Sequence, residues 1–97
     1  MTHPPTRDQG PKPADAILLH AVGQGDADAI RQLYRRHAPH LFALARHGGA
    51  HCAEDAVHDA FMYIVRHAHG HARTTLEARI WIVAMARHAW RRAAGRP

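Results

Sequence analysis

Cysteine is nearly absent from this chain, with Cys52 as the single example among 97 residues. One thiol excludes an internal disulfide and a zinc site built from several cysteines. A lone cysteine is usually structural, so we expect a small buried residue or a surface thiol without a catalytic role.

Long apolar runs are also missing. No stretch reaches the roughly 20 residues of a membrane span, and no signal-peptide pattern begins the chain. We therefore expect a cytoplasmic protein without membrane contact. Strand-forming runs are scarce, whereas alanine is the commonest apolar residue, which favours helices over strands.

The usual sequence marks of an enzyme are absent as well. There is no glycine-rich phosphate loop, no nucleophile with an accompanying base and no pair of carboxylates suited to a cleft. We expect no catalytic residue, no enzymatic activity and no cofactor.

Acidic residues are few: eight Asp and Glu stand against thirteen Lys and Arg, which gives a formal charge of +5. Twelve of the thirteen cations are arginine, the side chain best suited to phosphate and base contacts. A genome rich in G and C produces the same bias, so composition alone does not establish a nucleic-acid partner.

The length allows one small domain. Residues 1–13 are polar and contain four prolines, which is typical of a disordered N-terminal tail. The folded domain is expected to span residues 14–97.

Four helical segments follow the tail. Asp15 is a predicted N-cap for a short helix over residues 16–22, which two glycines end. Asp26 is the predicted cap of a second helix that reaches about residue 47. Pro39 falls inside it and should kink the helix or split it near the preceding residue. Four arginines are expected on a solvated basic face: Arg31, Arg35, Arg36 and Arg46.

The third segment, residues 53–67, is the most regular. Its apolar residues recur at helical spacing: Ala53, Ala56, Val57, Ala60, Phe61, Ile64, Val65 and, just beyond the segment, Ala68. The opposite face carries three of the eight acids, Glu54, Asp55 and Asp59. Charge pattern alone is equally consistent with a solvated helix face, because acids favour helix N-termini.

A loop is predicted over residues 67–75, and Thr74 or Thr75 can cap the last helix, which should run from about residue 76 to 93. Leu76, Ile80, Val83 and Ala84 are predicted to form its apolar stripe, widened by Trp81 and Ile82 in the core. No acid follows Glu77, and the cations suggest contact with phosphates: Arg79, Arg87, Arg91, Arg92 and Arg96. The fold expected from these segments is an all-α bundle of three to four helices.

Three blocks of this chain resemble region 2 of the extracytoplasmic-function sigma factors, a group within the sigma-70 family. The block AEDAVHDAFMYIVRH at 53–67 is similar to the family helix AEDlvQdvFlrlwr. Two further blocks also resemble the family: GDADAIRQLYRRHAPHLFALA at 25–45 and ARIWIVAMARHAWRRAAGR at 78–96. The three blocks occur in the family's order and spacing. Four positions depart from the pattern: His58 for Gln, Ala78 for an aromatic, His88 for Asn, and Arg92 near a usual Asp.

The resemblance implies a domain that binds bacterial core RNA polymerase and that recognises and melts the promoter minus-ten element. In the family, the helix matched by 53–67 docks on the clamp coiled coil of the largest polymerase subunit. The polymerase-binding residues implied here are Glu54, Asp55, His58, Asp59, Met62 and Arg66.

The loop and the start of the last helix are implied to receive the non-template strand, and the later arginines of that helix are implied to contact phosphates. The DNA-binding residues proposed on this basis are His69, His71, Arg73, Thr74, Thr75, Arg79, Arg87, His88, Arg91 and Arg92. The family's second, minus-thirty-five-reading domain (region 4) is not matched, so we expect a fragment. An anti-sigma factor is a further partner that the resemblance implies.

Two other classes stay open at this point. Eleven histidines are many for this length. Together with Cys52 they leave a metal-responsive or partner-binding helical module as the alternative function. Their spacing matches no zinc motif, however, and we predict no metal ligand. A helix-turn-helix repressor-like module is disfavoured, because the last helix is too apolar to serve as a recognition helix.

Overall fold

The computed structural model describes residues 13–95, and these form an all-α bundle without a strand. In chain order the helices are α1 (Asp15–Gly23), α2 (Ala27–His47), α3 (Ala53–His67) and α4 (Ala78–Ala94), with a 3-10 helix (Ala68–Arg73) between α3 and α4. The predicted fold class is therefore confirmed. The predicted tail lies outside the described residues except for Pro13.

One apolar core joins the four helices. Its largest fully buried side chains come from every helix: Leu19, Leu33, Leu41, Val57, Ile64 and Ile82. The predicted stripe of α3 is confirmed, since Val57, Ala60, Phe61 and Ile64 are all buried. These residues recur every three or four positions, which places them on one side of the helix.

The second helix begins after its predicted cap and ends at His47, as predicted. Asp26 Oδ1 accepts hydrogen bonds from the backbone nitrogens of Asp28 and Ala29, at 2.9 and 3.1 Å, and so caps the helix. The helix then passes through Pro39 without interruption, so the predicted split does not occur. Pro39 lies on the exposed side, where water can satisfy the carbonyl group that proline leaves without a donor.

The first helix corrects two predictions. Ala14 occupies its N-cap position, so Asp15 is not the cap. The Asp15 carboxylate instead accepts a hydrogen bond from Arg36 Nη1 at 2.8 Å, and the same nitrogen donates to the Pro13 carbonyl. Arg36 is therefore a half-buried partner of α1 and not part of a solvated basic face.

His37 is the one buried polar residue of the described chain. Its Nε2 atom lies 2.9 Å from Asp15 Oδ1, a close polar contact with that carboxylate. Burial by itself would raise the pKa of Asp15. The hydrogen bonds and positive charges of His37 and Arg36 outweigh that effect and hold the pKa of this carboxyl below its ordinary value.

The last helix is shorter and packs differently than predicted. It begins at Ala78, with Glu77 at the N-cap position and no side-chain cap, so neither Thr74 nor Thr75 caps it. Trp81 and Ile82 are buried as predicted. The predicted apolar stripe is wrong at two positions, since Leu76 and Ile80 are 45% and 55% exposed.

The two C-terminal helices are joined by a hydrogen bond as well as by packing. Trp90 Nε1 donates to the Ala56 carbonyl oxygen at 2.8 Å, which satisfies a half-buried indole and fixes the end of α4 against the start of α3. The 3-10 helix replaces most of the predicted loop, and its Ala68 is buried in the core.

Candidate functional site

The predicted polymerase-binding residues share the exposed side of α3. The structure places all six on the surface, opposite the buried stripe: Glu54, Asp55, His58, Asp59, Met62 and Arg66. Met62 is an apolar side chain that is 51% exposed. Within residues 13–95 no ion pair involves Asp55 or Asp59, so both carboxylates are available to a partner. We call this surface the acidic face.

An open groove of about 430 Å³ runs along one edge of the acidic face, between α3 and α4. Its lining from α3 includes the predicted residues Asp59, Met62 and Arg66, and its lining from α4 includes Arg92. The structure therefore places Arg92 beside the predicted polymerase-binding residues. Arg79, Arg87 and Arg91 are not among the residues of this groove, so the predicted DNA-binding cations do not share one surface.

Two aromatic residues of this groove were missed by sequence reasoning. Tyr63 and His67 line it, and their rings lie 4.2 Å apart between centroids. The Tyr63 ring also lies 5.5 Å from that of His88, which places His88 against α3 instead of on the outer side of α4. The i,i+4 spacing of Tyr63 and His67 was visible in the sequence, but their position beside α4 was not.

The 3-10 helix and the turn after it hold the first group of predicted DNA-binding residues. His69, Arg73, Thr74 and Thr75 are exposed, and His71 is half-buried. Thr74 Oγ1 donates to the His71 carbonyl oxygen at 2.9 Å and accepts a long hydrogen bond, 3.4 Å, from the backbone nitrogen of Leu76. The Thr74 hydroxyl therefore shapes the turn, which leaves Arg73 and Thr75 as its outward side chains.

The outer side of α4 carries the second group. Arg79, Arg87 and Arg91 are exposed, and at about 100° per residue they fall within a sector of about 120°. Exposed Ile80 lies in the same sector. In residues 13–95 none of these three arginines forms an ion pair. We call this sector the cationic face. Arg96, a further predicted cation, lies outside the described residues.

A second, smaller pocket lies between α1 and the 3-10 helix, with a volume of about 200 Å³. It brings the predicted residues His69 and His71 next to His20 of α1 and to Gln24, the residue after α1, both of which sequence reasoning missed. The two elements approach closely at Gly23, where a Cβ atom would lie 3.2 Å from that of His69.

The described residues 13–95 contain neither a cluster of metal-binding side chains nor a helix that could span a membrane. Across residues 13–95, no three His, Cys, Asp or Glu side chains come together as a metal ion requires. Cys52 is exposed. Over the same residues, no helix combines the length and apolar character needed to cross a membrane. Comparison of the chain with family models, with curated proteins and with solved structures found no match.

Proposed function

We propose that this chain is a region-2-like domain of an extracytoplasmic-function sigma factor, which binds core RNA polymerase and takes part in recognising and melting the promoter minus-ten element. The observation that carries the proposal is the separation of charge on the folded domain. The acidic face of α3 and the cationic face of α4 are both exposed, and within the described residues their charges lack ion-pair partners.

The acidic face is the proposed polymerase contact. Asp55 and Asp59 repel each other across one helical turn by a few tenths of a kcal/mol, and a basic partner surface removes that cost. Exposed Met62 supplies an apolar contact at the centre of the same face, and polymerase binding covers it. The proposed partner surface is the clamp coiled coil of the largest polymerase subunit.

The turn after the 3-10 helix and the cationic face are the proposed DNA contacts. Melting a promoter requires capture of unstacked bases together with contacts along the strand's phosphates. Arg73, Thr75 and Arg79 surround the turn and are proposed to meet the bases, while Arg87 and Arg91 follow the phosphates. Arg92 and His88, which lie against α3, are proposed to act at the edge of the polymerase contact instead.

The cellular setting follows from the same proposal. A sigma factor acts in the cytoplasm, and an anti-sigma factor that covers the acidic face is a further proposed partner. A second candidate function is a helical protein-binding module without promoter recognition, which exposed Met62 beside the 430 Å³ groove also favours. Binding to single-stranded minus-ten DNA distinguishes the two.

Charge reversal on the acidic face tests the proposal directly. We expect Asp55→Arg combined with Asp59→Arg to keep the helical content and melting behaviour, because both residues are exposed. The double variant should lose the ability to compete with a known sigma factor for core polymerase, since like charges facing each other across an interface cost several kcal/mol.

Asp28→Arg is the matched control. Asp28 is an exposed acid on α2, and its pair with Arg31 is 65% exposed on both sides, so its reversal should leave competition unchanged. Competition at the wild-type level by the folded double variant would reject the polymerase-binding role of this face.

A further inference from the structure

Side chains on the outer sides of α3 and α4 form two rows with the same spacing. The α3 row runs along the acidic face in steps of four, three and four residues: Asp55, Asp59, Met62 and Arg66. The α4 row, which includes two arginines of the cationic face, has the same steps: Ile80, Ala84, Arg87 and Arg91. At about 100° per residue, each row stays within a sector of about 60° and is about 16 Å long. All of these side chains are exposed except that of Ala84, which is half-buried.

Both rows carry charges that have no partner in the part of the chain that the structure describes. Across residues 13–95, the ion pairs include none of the charged residues of either row. The rows do not face each other within one molecule, because α4 turns Ala89 and Arg92 toward the groove that it shares with α3. Met62 and Ile80 add one exposed apolar side chain to each row.

Charge complementarity selects one alignment of the two rows. The steps read the same in both directions, so two helices that run antiparallel set each residue of one row opposite one residue of the other. Asp55 then lies opposite Arg91, and Asp59 lies opposite Arg87, which gives two ion pairs. Asp55 is in the first turn of α3 and Arg91 is in the last turn of α4, so the opposite ends of the two helix dipoles also meet.

The remaining positions of this alignment are complementary in size. Met62 lies opposite Ala84, whose small side chain leaves room for the longer one. Arg66 lies opposite Ile80, which the aliphatic part of an arginine can cover while its guanidinium group stays in water. A parallel alignment would instead place Arg66 opposite Arg91, and like charges that face each other disfavour an interface.

We propose that this chain associates with itself, and that the α3 row of one copy packs antiparallel against the α4 row of another. A second copy fits because every copy presents both rows. The contact is head-to-tail, so each pair of copies leaves one row of each kind uncovered, and further copies can add. Exposed ion pairs contribute little individually, and one helix face from each copy is a small interface. We therefore expect weak association that depends on salt.

Self-association would cover both surfaces on which the proposed function depends. The α3 row belongs to the proposed polymerase contact, and Arg87 and Arg91 belong to the proposed DNA contact. If the proposed function holds, on which this step rests, a copy with both rows covered binds neither polymerase nor DNA. Polymerase and a second copy then compete for the same acidic face.

Sedimentation equilibrium of the full chain over a range of protein concentrations is the first test. We expect the average mass to rise with concentration at about 0.1 M salt. It should return toward the monomer mass at about 1 M salt, where the Debye length is only about 3 Å. A monomer at every concentration in low salt would overturn the proposal. Association that high salt leaves unchanged would overturn it as well, because the contact would then not depend on these charges.

Charge reversal of one row at a time tests which surfaces meet. Asp55→Arg with Asp59→Arg, and separately Arg87→Glu with Arg91→Glu, should each weaken self-association by more than about tenfold. An equimolar mixture of the two double variants should associate again, because each retains the row that the other has lost. This recovery also shows that both variants are folded. If both variants are folded by circular dichroism and their mixture stays monomeric, the pairing of these rows is wrong.

The antiparallel register has a test of its own. Asp55→Arg with Arg91→Asp in one chain exchanges the charges of one expected pair and should restore association. Asp55→Arg with Arg87→Asp exchanges charges between residues that do not lie opposite each other, and it should not restore association. Asp28→Arg is the control, since this exposed acid lies on α2 outside both rows, and it should associate as the wild type does. Equal recovery by the two exchanges would reject the register.

Competition for core polymerase tests the functional consequence separately. Arg87→Glu with Arg91→Glu leaves the acidic face intact. At concentrations where the wild type associates, this variant should therefore compete for polymerase better than the wild type does. Equal competition there would overturn the rivalry between polymerase and a second copy. Self-association of a protein that fails to compete at any concentration would reject the proposed function and leave the contact between copies standing.

Discussion

Arg36 Nη1 lies 2.8 Å from Asp15 Oδ1 and donates a hydrogen bond that ties the first turn of α1 to the middle of α2. The pair is largely shielded from water, with side-chain exposures of 28% and 16%. His37 lies against the same carboxylate oxygen from below the surface. Asp15 therefore contacts two basic side chains at once, and its loss would leave the half-buried Arg36 guanidinium without its counter-charge.

Asp15→Asn should destabilise the domain by about 1–3 kcal/mol, because it removes the charged acceptor of the half-buried Arg36 and the carboxylate that buried His37 contacts. The measurement is urea unfolding followed by circular dichroism near neutral pH. Asp28→Asn is the control, since the Asp28–Arg31 pair is exposed and contributes little. Equal stability of Asp15→Asn and the wild type would show that the pair is not stabilising.

Acidification should remove the contribution of Asp15 to the free energy of unfolding. The pKa of Asp15 is lower in the folded state than its unfolded value of about 3.9. The stability that it provides is therefore present above about pH 4 and is lost as pH falls through the folded pKa. We expect the difference in unfolding free energy between wild type and Asp15→Asn to shrink between pH 5 and pH 2. A difference that grows over this range would contradict the lowered pKa.

Phe61→Ala should lower stability by about 3–5 kcal/mol. Phe61 is 6% exposed, and its ring lies 4.9 Å from that of Tyr34 on α2, so truncation leaves a cavity between α2 and α3. Its neighbour Met62 is exposed, and Met62→Ala should leave urea unfolding nearly unchanged while it weakens polymerase binding. If Met62→Ala destabilised the domain more than Phe61→Ala did, the side of α3 that carries Met62 would be the buried one.

Arg91→Ala should weaken binding of single-stranded DNA of any sequence. It should also reduce the slope of log affinity against log salt concentration by about one, the value for one lost phosphate contact. Arg79→Ala, beside the turn, should reduce the preference for the minus-ten sequence as well. Arg31→Ala, an exposed arginine on α2 paired with Asp28, is the control. If Arg79→Ala and Arg91→Ala bind at low salt as Arg31→Ala does, the cationic face is not a DNA contact.

The missed features of the site were all contacts between distant parts of the chain. His20 belongs to α1, yet it completes a pocket with His69 and His71, about fifty residues later in the chain. Arg92 lies one position after Arg91 but faces α3, because successive residues of a helix point about 100° apart. Trp90 finds its acceptor on Ala56, 34 residues away. Patterns among neighbouring residues in the sequence do not predict such contacts.

What the sequence determined by itself was local. The all-α class, the buried stripe of Val57 and Phe61 and the cap at Asp26 follow from helical periodicity and from groups within one turn, so neighbours in the chain decide them. Tertiary structure decided which apolar residues stay exposed, such as Ile80, and which polar residues are buried, such as His37 beside the half-buried Asp15. A helix with apolar residues on several sides can be covered on only some of them, and the neighbouring helices determine which ones.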